Sequence, residues 1–140
     1  MISQLSIFLQ NKKGHLAQAV SAIADAGINM HALYLADTQD FGVARIFCDT
    51  PEAAAETLAA AGFKASVTPV VAVRIPNEPG GLARLLRFCD EADMNIEYAY
   101  CFGVQQKSAI DVLKIDGDDA EAKLADAGFH VVAPDEIYAA

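Results

Sequence analysis

The sequence contains no tryptophan, no C-x-x-C pair and no apolar run near the roughly 18 residues needed to span a bilayer. Positive charge is scarce, with 10 Lys and Arg against 19 Asp and Glu, a formal charge of −9. Such a surface repels phosphates, which argues against nucleic-acid and anionic-membrane partners, and the tyrosines and phenylalanines are not interleaved with basic residues. The three cysteines, Cys48, Cys89 and Cys101, form no framework, so buried thiols in a reducing compartment are expected. The opening MISQLSIFLQ has neither a basic leader nor a small-residue cleavage site. No signal peptide is therefore read, and a cytoplasmic location is the expectation.

What the chain does have is apolar residue content, 54% over 140 residues, enough to bury a core in one ordinary domain or two very small ones. It also has an internal repeat. Asn11 and Asn77 lie 66 positions apart, and the same offset places Gly14 on Gly80, Leu16 on Leu82 and Ala17 on Ala83. Further along, Asn29 falls on Asn95 and Tyr34 on Tyr100, and LAAAGF (58–63) overlays LADAGF (124–129). One register held along the chain makes it two copies of one unit, 1–68 and 69–140. FKASVTPV runs directly into VAVRI with only Pro69 as punctuation, so no linker separates the copies.

Each copy has the same internal order. SIFLQ and VVAVRI are β-branched and apolar, hence strands. Leu16, Val20 and Ile23 in copy one, and Leu82, Leu85, Leu86 and Cys89 in copy two, recur at helical spacing. INMHALYLAD and MNIEYAYCFG return to strand and lead through polar turns to a third strand. Thr50-Pro51-Glu52 predicts a capped second helix, with Asp116-Gly117-Asp118-Asp119 in the same role in copy two. A last strand follows Gly62 and Gly128. The order β-α-β-β-α-β, twice, predicts an α+β fold of two tandem ferredoxin-like units, antiparallel sheets with helices on one face.

The first strand of each copy ends at Asn, and a glycine-containing loop opens the first helix. There the unpaired N–H groups and the positive end of the helix dipole favour an anion, and glycine allows close approach. Asn adds a neutral donor and acceptor, matching the carboxylate and ammonium of an amino acid. The plainer reading is that Asn caps the helix and Gly makes the turn; a second Asn at each following strand, Asn29 and Asn95, weighs against it.

The pattern N-x-P-G-x-L, a helix, then an Asn opening the next strand resembles the ACT domain, a small-molecule-binding regulatory module of amino-acid metabolism. The resemblance covers both copies. It implies that units pair side by side and that an amino-acid effector lies at their interface, held by the loop and its Asn, with the second Asn reaching across from the partner. The matching positions are Asn11, Gly14 and Asn29, and Asn77, Pro79, Gly80 and Asn95, with flanking contacts from His15, Leu16, Met30, Gly81, Leu82 and Ile96. Copy one has Lys13 in place of the motif proline, which makes 77–82 the preferred loop. Leu9 and Ile75 stand where serine-sensing members carry His.

No catalytic set emerges: the three histidines are dispersed, no H-x-x-x-H or G-x-S-x-G occurs, and DGDDAE lacks calcium-loop spacing. His31 reads as a surface or interface residue. The expectation is a non-enzymatic sensor, without metal or cofactor, that binds a small amino acid or related carboxylate. It would form a homodimer and signal through assembly or a separate metabolic enzyme. The alternatives are a ligand-free dimerisation module and a small ferredoxin-like isomerase or lyase.

Overall fold

A computed structural model describes residues 1–37, 40–104 and 107–138. The elements run β1 (Ile2–Gln10), α1 (His15–Asp25), β2 (Met30–Asp37), β3 (Phe41–Cys48), α2 (Pro51–Ala60) and β4 (Lys64–Pro76), then α3 (Gly81–Glu91), β5 (Ile96–Val104), β6 (Ser108–Ile115), α4 (Ala120–Asp126), β7 (His130–Val131) and α5 (Pro134–Tyr138). They make two compact units, one of Ser3–Thr68 and one of Pro69–Ala140 together with Met1–Ile2. Pro69 lies inside β4, whose first part closes the first unit and whose second part opens the other.

In the first unit the strand order is β2-β3-β1-β4, and in the second it is β5-β6-β4-β7. β1 with β3, β2 with β3, β4 with β6, β4 with β7 and β5 with β6 all pair antiparallel. Each is the ferredoxin-like arrangement the repeat implied. Alternate residues of the strands face the helices, as the two-residue period of a strand demands. The first core joins Leu5, Ile7, Leu9, Ala19, Ile23, Ile46, Cys48 and Leu58, with Ala44 and Ala54 among them. The second joins their counterparts Val71, Val73, Ile75, Leu85, Cys89, Leu113, Ile115 and Leu124, with Ala120. The counterpart of Ala44 is Asp111, the one buried charged residue among the described residues.

The repeat register is not constant. β1 maps onto β4, and β2 onto β5, at an offset of 66, but β3 maps onto β6 at 67, since Leu5 pairs Ile46 whereas Val71 pairs Leu113. The extra residue is absorbed where the pairing of β5 with β6 shifts between Phe102 and Val104, at Gly103 with φ 70°. The shorter α4 then restores the original offset, so that Leu58 and Leu124 occupy equivalent core places.

Other expectations change in detail. Thr50 is the residue before α2, with Pro51 first and Glu52 in the first turn, but it adopts a left-handed φ of 45° and makes no side-chain cap. Asp119 precedes α4 and also does not cap it; its carboxyl is held below the usual range, chiefly by its hydrogen bond to Lys123. Leu82 and Leu86 are exposed, because α3 turns Leu85 and Cys89 to the sheet and these two outward. The short α5 was not foreseen; it seats the fully buried Ile137. Among the described residues, no helix is long and apolar enough to cross a membrane.

Cys48 and Cys89 are buried, and burial pushes the Cys48 thiol up to about 11. Cys101 departs from expectation and is exposed, since β5 is the outermost strand of its unit and no helix covers it. We expect one thiol to react with a soluble disulfide reagent at pH 8 in the native protein, and all three cysteines after unfolding in guanidinium. Rapid native labelling of two or more would contradict this packing.

Candidate functional site

The two loops after β1 and β4 are built alike, bond for bond. Lys12 N–H donates to the Gln10 carbonyl at 2.8 Å and Glu78 N–H to the Pro76 carbonyl at 3.0 Å. His15 N–H reaches the Lys12 carbonyl, and Gly81 N–H that of Glu78. Gly14 and Gly80 precede the helices at φ 86° and 88°, a left-handed conformation that disfavours any residue with a Cβ. Glycine, not asparagine, is the helix-flanking residue in both, and neither helix has a side-chain cap.

Electrostatics set these helix starts apart. α2, α4 and α5 carry acids in their first turns, Glu52, Glu121 and the pair Asp135 and Glu136. α1 and α3 carry none. In a chain with a net charge of −9, the two helices that follow the Asn-containing loops are the ones whose positive ends are left uncompensated by the first turn.

A cleft of about 140 Å³ opens beside the first loop, lined by Leu9, Leu16, Leu35 and Gly42 with Gln10, Asn11 and Lys12 at its polar side. Drug-sized sites span about 300–1,000 Å³, so this one suits a small solute. Of the residues singled out in copy one, the cleft collects Asn11 and Leu16. Gly14 shapes the loop, and Met30 packs against the core. His15 turns away: its Nδ1 accepts the Gln10 N–H at 2.9 Å and its ring lies against Phe63, 5.2 Å between centroids.

In copy two the candidate residues are dispersed. Gly81 lines a cleft with Arg74 and Phe129, whereas Asn95 lines another with Asp90, Asp93 and Met94. Asn77, Glu78, Pro79, Gly80 and Leu82 are exposed, and Ile96 is half-buried. Asn95 Nδ2 donates to Asp116 Oδ2 at 3.0 Å. In copy one the equivalent aspartate, Asp49, is taken by half-buried His31, at 2.8 Å from its Nε2.

The two asparagines of one unit lie far apart. Asn11 N–H donates to Asp40, just before β3, while the Asn29 carbonyl accepts from Asp49, just after it. They flank the eight residues of β3, so roughly 25 Å separates them at about 3.3 Å per residue. Asn77 and Asn95 flank β6 in the same way, through Lys107 and Asp116. Leu9, Gln10, Lys12, Leu35 and Gly42 also line this cleft and were not among the site residues read from the sequence. Leu35 could have been found as the apolar member of β2 on the same face as Leu33.

Two tandem ferredoxin-like units, each with a glycine-shaped loop opening its first helix, are the arrangement that the ACT resemblance implied. A family model described as "ACT domain pair" matches residues 1–133, and the chain belongs to that family. The crystal structure of a protein from Bacteroides thetaiotaomicron is similar, with 33% identity, TM-score 0.91, and coverage of 98% of this chain and 95% of that one. The ligand-free regulatory subunit of aspartate kinase from Thermus thermophilus shares 18% identity at TM-score 0.68, with 89% of each chain covered. The corresponding Thermus flavus subunit shares 22% at TM-score 0.66, with 88% of each covered. No curated protein matches the sequence.

Proposed function

We propose that this protein is a regulatory sensor whose loops at the starts of α1 and α3 bind a small amino acid or related carboxylate. The observation that carries the reading is the small, apolar-floored cleft beside Asn11, at a helix start with neither a capping side chain nor a first-turn acid. The ligand's carboxylate would take the loop N–H groups, and Asn11 or Asn77 would hold its polar groups. Gly14 and Gly80 let it approach, and Leu16 and Leu82 contact its side chain.

Asn29 and Asn95, at the far ends of their strands, cannot complete the site of their own unit. They would reach a ligand held by a unit of a second chain, with Met30 and Ile96 beside them. That requirement supports a homodimer and links ligand binding to assembly, so occupancy changes the affinity of one chain for another or for a separate metabolic enzyme. The aspartate kinase regulatory subunits that share the fold support a regulatory role over a catalytic one. Among the described residues no cluster of three or more His, Cys, Asp or Glu could hold a metal ion.

A thermal-shift screen of the twenty amino acids and common α-keto acids, confirmed by calorimetry, tests the reading. Ligand at a hundred times its dissociation constant adds about 2.7 kcal/mol, a rise of roughly 10 °C for units of this size. Asn11→Ala is expected to weaken binding about tenfold, near 1.4 kcal/mol, by stranding a polar group of the ligand. No response across the panel would leave the ligand-free dimerisation module as the better account.

A further inference from the structure

The second unit holds a cleft of about 330 Å³ that the first unit fills. Gln10 and His15 correspond to Pro76 and Gly81. In the first unit the Gln10 N–H, turned out of the strand ladder, is satisfied by His15 Nδ1, and the imidazole packs on Phe63. In the second unit proline has no N–H to satisfy, and glycine has no side chain to satisfy it with. Phe129, the counterpart of Phe63, packs instead on Phe88 at 5.3 Å. These differences together create the notch.

Its lining is cationic in an acidic protein. Arg74, Arg84 and His130 contribute to it along with Pro76, Gly81 and Phe129. The first-unit counterparts of the arginines are Phe8 and Gln18, so this charge is peculiar to the second unit. Arg74 Nη1 donates to Ser108 Oγ at 3.2 Å, and His130 pairs with the Glu136 carboxylate at 3.1 Å. The Glu136 carboxylate, held low chiefly by the Ala133 N–H, also feels the charge of Arg74, which leaves Arg84 as the guanidinium it does not offset. Exposed Arg84 makes no side-chain hydrogen bond or ion pair among the described residues.

We propose that this notch, which borders the Asn77 loop at Pro76 and Gly81, is a second ligand site, separate from the cleft beside Asn11, that takes a small oxyanion, a carboxylate or a phosphate, on the guanidinium of Arg84 with Arg74 beside it. Planar guanidinium forks match both groups in geometry and charge. Phe129 and the proline ring form an apolar wall for the body of the ligand.

Inorganic phosphate and succinate, titrated separately at constant ionic strength and followed by amide and Arg Nε–H shifts in NMR, test the site. Saturable shifts centred on Gly128, Phe129 and Arg84 are expected from at least one probe, and which probe acts assigns the oxyanion class. Arg84→Gln should weaken binding at least tenfold without changing the melting temperature. The double variant Pro76→Gln, Gly81→His, which rebuilds the plug of the first unit, should abolish it. Asn11→Ala should leave it unchanged, which separates this site from the sensor reading. Absence of saturation by both anions, or unchanged affinity in Arg84→Gln, would overturn the proposal even if the double variant fails to fold.

Discussion

Gly81→Ala is expected to cost about 2 kcal/mol and to lower the melting temperature by roughly 10 °C. A Cβ at Gly81 would stand 2.3 Å from the Pro76 carbonyl oxygen, a backbone atom that cannot swing aside as a side-chain tip can. That oxygen already accepts the Glu78 N–H at 3.0 Å, so moving it also disturbs the loop. Its neighbour gives the contrast. A Cβ at Gly80 would meet nothing within 4 Å, but the φ of 88° is strained for other residues, a cost of about 1–2 kcal/mol that asparagine partly escapes. Gly80→Asn should thus be tolerated where Gly81→Asn is not, as read by urea unfolding of the two variants. Equal stability of Gly81→Ala and the parent would show that the loop relaxes without cost. The close approach would then not be what requires glycine there.

The same pair of glycines shows what could be read in the chain and what could not. The repeat, the order of elements and the helix-opening loops were legible because they rest on local signals: the apolar β-branched run of β1, helical spacing of Leu16, Val20 and Ile23, glycine where φ turns positive. The assignment of faces was less so. Leu82 and Leu86 share helical spacing with Leu85 and Cys89, and only the three-dimensional packing shows which pair α3 turns to the sheet and which it turns outward. Cys101 is exposed for a related reason, since an outermost strand looks like any other in sequence. The one-residue shift of β6 was hidden because the shorter α4 cancels it before LADAGF. The swap of Gln10 and His15 for Pro76 and Gly81 was visible letter by letter. Its meaning, a donor and its acceptor lost together, needed the hydrogen bond from Gln10 to His15 to be seen. For the site itself, the loop asparagines were legible, but their separation along β3 and β6 was not, because a distance between strand ends depends on which strands are neighbours.

Asp111→Ala is expected to stabilise the protein at neutral pH by up to about 1 kcal/mol, the low end for a buried polar group, because its carboxylate oxygens keep some contact with solvent. Asp111 pairs across the sheet with Val73 and Cys101 where Ala44 pairs with Ile7 and Leu35, so alanine is already accepted at the equivalent node. It is 8% exposed, and among the described residues its carboxylate has no hydrogen bond or ion pair. Burial raises its pKa above the ordinary 3.8. Above pH 3.8 the folded chain therefore holds the proton more tightly than the unfolded chain, and stability is lost as pH rises toward the folded pKa. The stability difference between parent and variant should start near its minimum at pH 3.8 and below, grow through that window, and level off above it. Asp111→Asn should remove the pH dependence while keeping most of the polar burial. A second readout is independent of unfolding. The exposed Cys101 thiol is held up first by partial desolvation by its sheet neighbours and then by the Asp111 charge, so removing that charge should lower its pKa and speed its labelling near neutral pH. If the variant is less stable than the parent at pH 7 and Cys101 labels at the same rate, the desolvation of this carboxylate is not what sets the stability of the node.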